Sequence, residues 1–254
     1  MRQIVLIHST AMQKNFRATI CLPADYIHSK RSYPVVYLLH GFSGDYSTWS
    51  KLVSLDVYAD KFKCIIVCPD GGYSSWYIDS PLKKDSKFET YITKEVIPFV
   101  DYNFRTIAKA DGRAIIGSSM GGHGALILLA RHPDLFAAAG SISGIMEIAS
   151  FPTQWDLPKI LGQFSGNELT WYQNSFIGQI DKLKKMKKSI ILDCGTDDFA
   201  LIGNRKAHEK LLANHILHDY IERPGTHSPD YPANALEYHM LYCSRVLEKA
   251  KEKP

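Results

Sequence analysis

Short runs of apolar and β-branched residues recur along the chain at 4–7, 17–22, 35–40, 64–69, 113–117, 136–142, 189–193 and 219–223. Most lack clean in–out alternation, the pattern expected of strands covered on both faces. Between them apolar residues return at helical spacing over 86–100, 121–131, 204–216 and 233–250. Strand alternating with helix predicts an α/β fold: a mostly parallel central sheet with helices on both faces, a three-layer sandwich. No helical pattern separates the first two strands, which predicts an antiparallel hairpin at one edge.

The rhythm breaks once. Residues 144–187 carry no strand signal but contain Trp155, Trp171, Tyr172, Pro152 and Pro158. Such a stretch is too long for an ordinary loop. It is expected to be either a lid or binding segment, or a helical excursion packed on the sheet edge. Five lysines within 182–188 suit the solvated end of a helix. No repeat and no Gly/Ser/Pro-rich linker divides the chain, so a single domain over 1–254 is expected.

Composition narrows the classes. With 254 residues, 45% of them apolar and 22% charged, the chain is long enough for one large core and too apolar for disorder. Thirty basic and 26 acidic residues leave a formal charge of +4, spread along the chain, which argues against a nucleic-acid binder. No apolar stretch approaches the roughly 20 residues a membrane span requires. The five cysteines, Cys21, Cys64, Cys68, Cys194 and Cys243, are scattered and odd in number, so no disulfide scaffold is expected. Only Ile4 to Ile7 follow Arg2 before His8, too few for a secretory signal. The chain as written is expected to be cytoplasmic; one trimmed ahead of Met1 would be secreted or periplasmic.

Candidate chemistry begins with Gly117-Ser118-Ser119-Met120-Gly121, a Gly-x-Ser-x-Gly lying between the strand at 113–117 and the helix at 121–131. Strand, tight turn and helix together make a nucleophile elbow, in which glycines let the chain turn sharply and lift the serine hydroxyl clear of the sheet. The helix N-terminus beneath it favours developing negative charge. A serine hydroxyl is a poor nucleophile without a base, and the base needs an orienting carboxylate. In folds with this elbow the order is Ser, acid, His. After Ser119, a strand runs into Gly195 with Asp197 and Asp198 beyond it, and another runs into Gly225-Thr226-His227. Both candidates lie just past strand C-termini, where open α/β sheets gather their sites. Of the ten histidines, His227 has the best setting. His208, His215 and His218 have no fourth ligand spaced to make a zinc site, and no metal or cofactor is expected. The loop after 35–40, His40-Gly41-Phe42-Ser43-Gly44, supplies one oxyanion donor, assigned by position to the Phe42 N–H, and the elbow supplies that of Met120.

These segments, with Tyr37-Leu38-Leu39-His40-Gly41, Pro69-Asp70-Gly71-Gly72, Trp76-Tyr77-Ile78-Asp79 and Cys194-Gly195-Thr196-Asp197-Asp198-Phe199, occur in the order found in a known family. The chain resembles the α/β-hydrolases that include esterase D (S-formylglutathione hydrolase), bacterial tributyrin and feruloyl esterases, and mycolyltransferases. The likeness covers about residues 15–245, with Ser-Met-Gly-Gly (119–122) its most specific motif. It implies a catalytic triad of Ser119, Asp198 and His227, with Phe42 and Met120 forming the oxyanion hole. Trp76 and Tyr77 resemble a segment beside the family's site; a plain core cluster is the other reading. The departure follows the histidine, where many relatives have Trp and this chain has Ser228-Pro229-Asp230-Tyr231-Pro232.

The function expected is a serine carboxylesterase on short-chain or aromatic esters (acetyl, butyryl or feruloyl type), working through an acyl-enzyme. Its partner would be a small-molecule or carbohydrate-linked ester, with a homo-oligomer left open. An S-formylglutathione thioesterase and an acyltransferase share the machinery, and a non-catalytic hydrolase-fold binding protein is the alternative from another class. Trp49, Trp76, Tyr77 and Trp155 are the expected pocket walls, suited to flat or short acyl groups.

Overall fold

Along β3 (Val35–Leu39), Val35, Tyr37 and Leu39 face one side of the sheet and Val36 and Leu38 the other, and all five are buried. Neighbouring β4 (Ile65–Pro69) and β5 (Arg113–Ser118) divide in the same way. Period-two alternation is therefore present, but both faces are apolar, which is why the sequence shows continuous runs. This computed structural model describes residues 1–251; residues 252–254 of the expected domain lie outside the described residues.

All eight expected runs form strands of one sheet: β1 (Arg2–Ser9), β2 (Lys14–Cys21), β3, β4, β5, β6 (Ala138–Ile142), β7 (Ser189–Gly195) and β8 (Asp219–Arg223). Their order is β1-β2-β4-β3-β5-β6-β7-β8. β1 and β2 form the expected antiparallel hairpin, β2 pairs antiparallel with β4, and every later pair is parallel.

The helices are α1 (Thr48–Leu52), α2 (Leu55–Lys61), α3 (Phe88–Thr90), α4 (Ile97–Asn103), α5 (Met120–Arg131), α6 (Leu157–Leu161), α7 (Glu168–Gln173), α8 (Phe176–Gln179), α9 (Leu201–Ala213) and α10 (Asp230–Lys251). α10 covers one face with a stripe of Tyr231, Ala235, Leu236, Met240, Cys243 and Leu247, beside Leu55 and Ala59 of α2. On the other face α5 is buried from Met120 to Ala130. The helix expected over 86–100 is not uniform: between α3 and α4 the chain widens into a π-helical stretch, Tyr91–Val96. Pro98, at the start of α4, lacks an N–H and crowds the carbonyl a turn earlier, and the wider turn accommodates both.

The 144–187 segment is helical, but it packs over α5 rather than on the sheet edge, with Trp171, Phe176, Ile180 and Leu183 in the core. The lysine run follows a short 3₁₀ turn, Ile180–Leu183, and Lys188 turns back to donate to the Phe136 carbonyl. His123 of α5 ties this segment down, with Nε2 2.7 Å from the Asn174 carbonyl oxygen. Burial, partly offset by that hydrogen bond, pushes the imidazole pKa down to about 4.

His123 is neutral when folded but takes up a proton below its ordinary 6.5 when unfolded. Its contribution is present above pH 6.5 and is lost as pH falls towards 4. The unfolding free energy should therefore drop over that window by up to about 1.4 kcal/mol per pH unit from this group. Urea melts from pH 7 to 4 should show a shallower decline in His123→Gln; equal slopes would refute the assignment.

Candidate active site

The turn between β5 and α5 is held by backbone contact. A Cβ on Gly121 would lie 2.4 Å from the Leu39 carbonyl oxygen, and one on Gly117 would lie 2.2 Å from that of Gly121. Only glycine fits either position, and the residue between the strand and the helix takes up the strain: Ser119 has φ 55° and ψ −119°. Its Oγ lies 2.9 Å from His227 Nε2, and His227 Nδ1 lies 2.9 Å from both Asp198 oxygens. A carboxylate only accepts, so it fixes the proton on Nδ1 and leaves Nε2 to accept from the serine hydroxyl. The structure thus brings together the three residues expected as a triad.

The Asp198 side chain is fully buried while that of His227 is 24% exposed. Burial works to raise the Asp198 pKa, but the His227 hydrogen bond and the Ala200 N–H outweigh it, and the carboxyl titrates below its ordinary range. Asp197 is exposed and bonds to Thr196 Oγ1, away from the imidazole. Its N–H donates to the Gly225 carbonyl, joining the loops after β7 and β8.

Phe42 and Met120 present backbone N–H groups that bond to no acceptor among the described residues. Met120 is the first residue of α5, where an N–H has no helical partner. The Phe42 loop is held by His40, a residue the sequence reasoning passed over. The Gly71 N–H donates to His40 Nε2 at 2.7 Å, and Nδ1 therefore carries the proton and donates to the Gly41 carbonyl at 2.8 Å. Burial lowers the His40 pKa and keeps the ring neutral.

Above Ser119 and His227 lies a cavity of about 460 Å³. Its walls include Phe42, Leu52, Trp155, Phe199, Pro229 and Pro232. Of the four expected pocket aromatics, only Trp155 lines it. Trp49, Trp76 and Tyr77 are buried behind it and line no part of the cavity, which corrects the expectation. Trp49 Nε1 donates to the Leu39 carbonyl, Trp76 packs on Trp155 and His123, and Tyr77 OH donates to the His40 carbonyl. Trp49 thus braces the end of β3, Trp76 the cavity wall at Trp155, and Tyr77 the His40 that holds the Phe42 loop. The segment after His227 contributes Ser228, Pro229 and Pro232 to the cavity wall.

Phe199 was not assigned a role from the sequence, although it directly follows Asp198. Its ring centroid lies 4.3 Å from that of His227 and 5.7 Å from that of Trp155, linking the base to the 144–187 segment. His208 and His218 hydrogen-bond to each other at 2.7 Å. Among the described residues, no three His, Cys, Asp or Glu side chains are placed to hold a metal ion, and no helix is long and apolar enough to cross a membrane.

A mostly parallel sheet of this order, with the serine on a strained turn after β5, is the α/β-hydrolase fold. A family model described as "Putative esterase" matches residues 9–237, and the chain belongs to that family. Esterase Rv1288 of Mycobacterium tuberculosis is 33% identical over 248 residues, which cover 86% of this chain and 54% of that protein. The chain therefore spans about half the length of this relative. The diacylglycerol acyltransferase/mycolyltransferase Ag85B of Mycobacterium leprae is 30% identical, over 80% of this chain and 69% of that one. Among solved structures, a ferulic acid esterase superposes with a TM-score of 0.82 at 25% identity, over 97% of this chain and 98% of that chain.

Replacing His40 with Leu would leave the buried Gly71 N–H without its acceptor and would take one of two donors from the Gly41 carbonyl, which keeps the Gly44 N–H. It should cost about 1–3 kcal/mol of stability. Urea denaturation measures this, and an unchanged midpoint would mean the two hydrogen bonds do not hold the loop.

Proposed function

We propose that the chain is a serine carboxylesterase acting through an acyl-enzyme on short-chain or planar aromatic esters. The observation that carries this is the unbroken hydrogen-bonded relay from Asp198 through His227 to Ser119 at the floor of an apolar cavity. In this reading Ser119 Oγ attacks the ester carbonyl carbon as His227 Nε2 takes the hydroxyl proton. The carbonyl oxygen becomes an oxyanion facing the Phe42 and Met120 N–H groups. Collapse expels the alkoxide, which His227 protonates, and water activated by the same nitrogen then attacks the acyl-enzyme. Asp198 stays ionised throughout, consistent with its lowered pKa.

Support for the acyl group comes from the walls. Phe42 and the roughly parallel rings of Trp155 and Phe199, 30° apart, line the cavity and suit a flat or short group. The similarity to a ferulic acid esterase favours the same class, and the similarity to a mycolyltransferase makes an acceptor alcohol the alternative to water.

Ser119→Ala should abolish turnover, with a loss on the order of 10⁶ in kcat, while Ser118→Ala retains most of it. Asp198→Asn should cost about 10⁴ through the wrong histidine tautomer, and Asp197→Asn little. Steady-state hydrolysis of p-nitrophenyl butyrate measures all four; a reversal within either pair would overturn the corresponding assignment.

Across p-nitrophenyl esters of two to sixteen carbons, with methyl ferulate alongside, kcat/KM should peak at the short or aromatic end. A maximum at twelve carbons or more would point to a long-chain enzyme instead. Adding an alcohol acceptor and analysing the products separates hydrolysis from acyl transfer.

A further inference from the structure

Beneath the histidine loop lies a carboxylate that the proposed reaction does not use. Asp193, on β7, is fully buried and five residues ahead of Asp198. Its Oδ1 accepts from the Tyr231 hydroxyl at 2.5 Å, and its Oδ2 accepts from an Arg223 Nη2. His239 Nε2 stands 3.7 Å from Oδ2. Burial lowers the His239 pKa, so that ring is neutral and Arg223 supplies the countercharge.

The two residues that Asp193 grips bracket His227. Arg223 ends β8 four residues before it, and Tyr231 lies in the first turn of α10 four residues after it. The Tyr231 ring also closes on the loop itself: a Cβ on Gly225 would lie 2.4 Å from its Cδ2. One carboxylate therefore holds both ends of the segment that carries the base. It does so from the strand that leads into Asp198, the other end of the His227–Asp198 hydrogen bond.

With its carboxylate fully buried and its guanidinium half-buried, this ion pair is an inefficient way to gain stability, because desolvating the carboxylate cancels much of the attraction. It does fix direction and register, which apolar contacts leave free. We propose that Asp193 is a positioning residue, a clasp that sets the height and angle of His227 between Asp198 and Ser119. This rests on the Ser119–His227–Asp198 reading above. Asp193 touches no reacting atom, and its effect passes through Arg223 and Tyr231 to the imidazole.

The test uses Tyr231→Phe, which keeps the ring over Gly225 and removes only the hydroxyl, and Asp193→Asn, which keeps the volume and removes the charge. Active sites are counted by titration with a fluorophosphonate, and kcat and KM for p-nitrophenyl butyrate are measured per titrated site, alongside thermal unfolding. A displaced base should lower kcat per site with KM nearly unchanged, by about tenfold for Tyr231→Phe and on the order of 10² for Asp193→Asn, the scale of an ångström's misplacement. A purely structural role would lower the melting temperature and the titrated fraction while leaving kcat per site at the wild-type value, and that result overturns the proposal. If Asp193→Asn does not fold, Tyr231→Phe decides alone. Should Ser119→Ala be inactive while Tyr231→Phe keeps full kcat, the clasp fails and the triad stands; an active Ser119→Ala would bring down the triad itself.

Discussion

Backbone meets backbone where α5 leaves β5, with Gly121 seated against the carbonyls of Leu39 and His40. No side chain fits between them, so the helix can lie at only one height over the sheet. Ser119 is forced into a left-handed conformation, and its hydroxyl is lifted off the strand. The same contact frees the Met120 N–H at the helix start and aligns it with the loop that follows β3. One steric constraint thus sets the serine and the Met120 N–H against the loop that carries Phe42, before any hydrogen bond to Ser119 is counted.

The rest of the site depends on polar groups placed where an apolar core would tolerate none unpaired. His40 pins the loop carrying Phe42, Tyr77 pins His40, and Trp49 pins the end of β3. These interactions add little net stability, yet each allows a single geometry, since a shifted loop would strand a buried donor or acceptor. Trp49, Trp76 and Tyr77, expected to touch substrate, have this other task. They form a second layer, and the layer that faces the cavity is drawn from Trp155, Phe199 and two prolines.

The sheet was legible because strands buried on both faces must be apolar at successive positions, and the β-branched runs at 35–40, 64–69 and 113–117 carry that requirement openly. α1 and α2 were not, since five and seven residues complete too few turns to display a period. The π turn ahead of Pro98 depends on how the chain absorbs one missing N–H, which residue types do not encode. Ser119 and His227 could be located because an elbow and a strand-end glycine turn are local geometries with local sequence requirements. The choice between Asp197 and Asp198 depended on family resemblance, because adjacent residues differ only in the direction each takes. Trp49, Trp76 and Tyr77 were misplaced for a related reason: membership of a segment beside the site says nothing about which side of a turn a ring falls on, and for Trp76 and Tyr77 the other reading, a core cluster, is the one the structure shows. Phe199 stood in plain view beside Asp198, but its contact with His227 exists only once two distant loops are joined.

The joining of those loops has a consequence for synthesis. The serine, its strand and its helix are complete by residue 131, whereas the acid follows β7 and the base follows β8, almost a hundred residues later. α10, which covers most of one face of the sheet, comes last. A growing chain therefore adds more than a hundred residues after Ser119 before His227, its hydrogen-bond partner, has been made. The Ser119–His227–Asp198 arrangement exists only once β7 and β8 have joined the sheet and the loops after them have met.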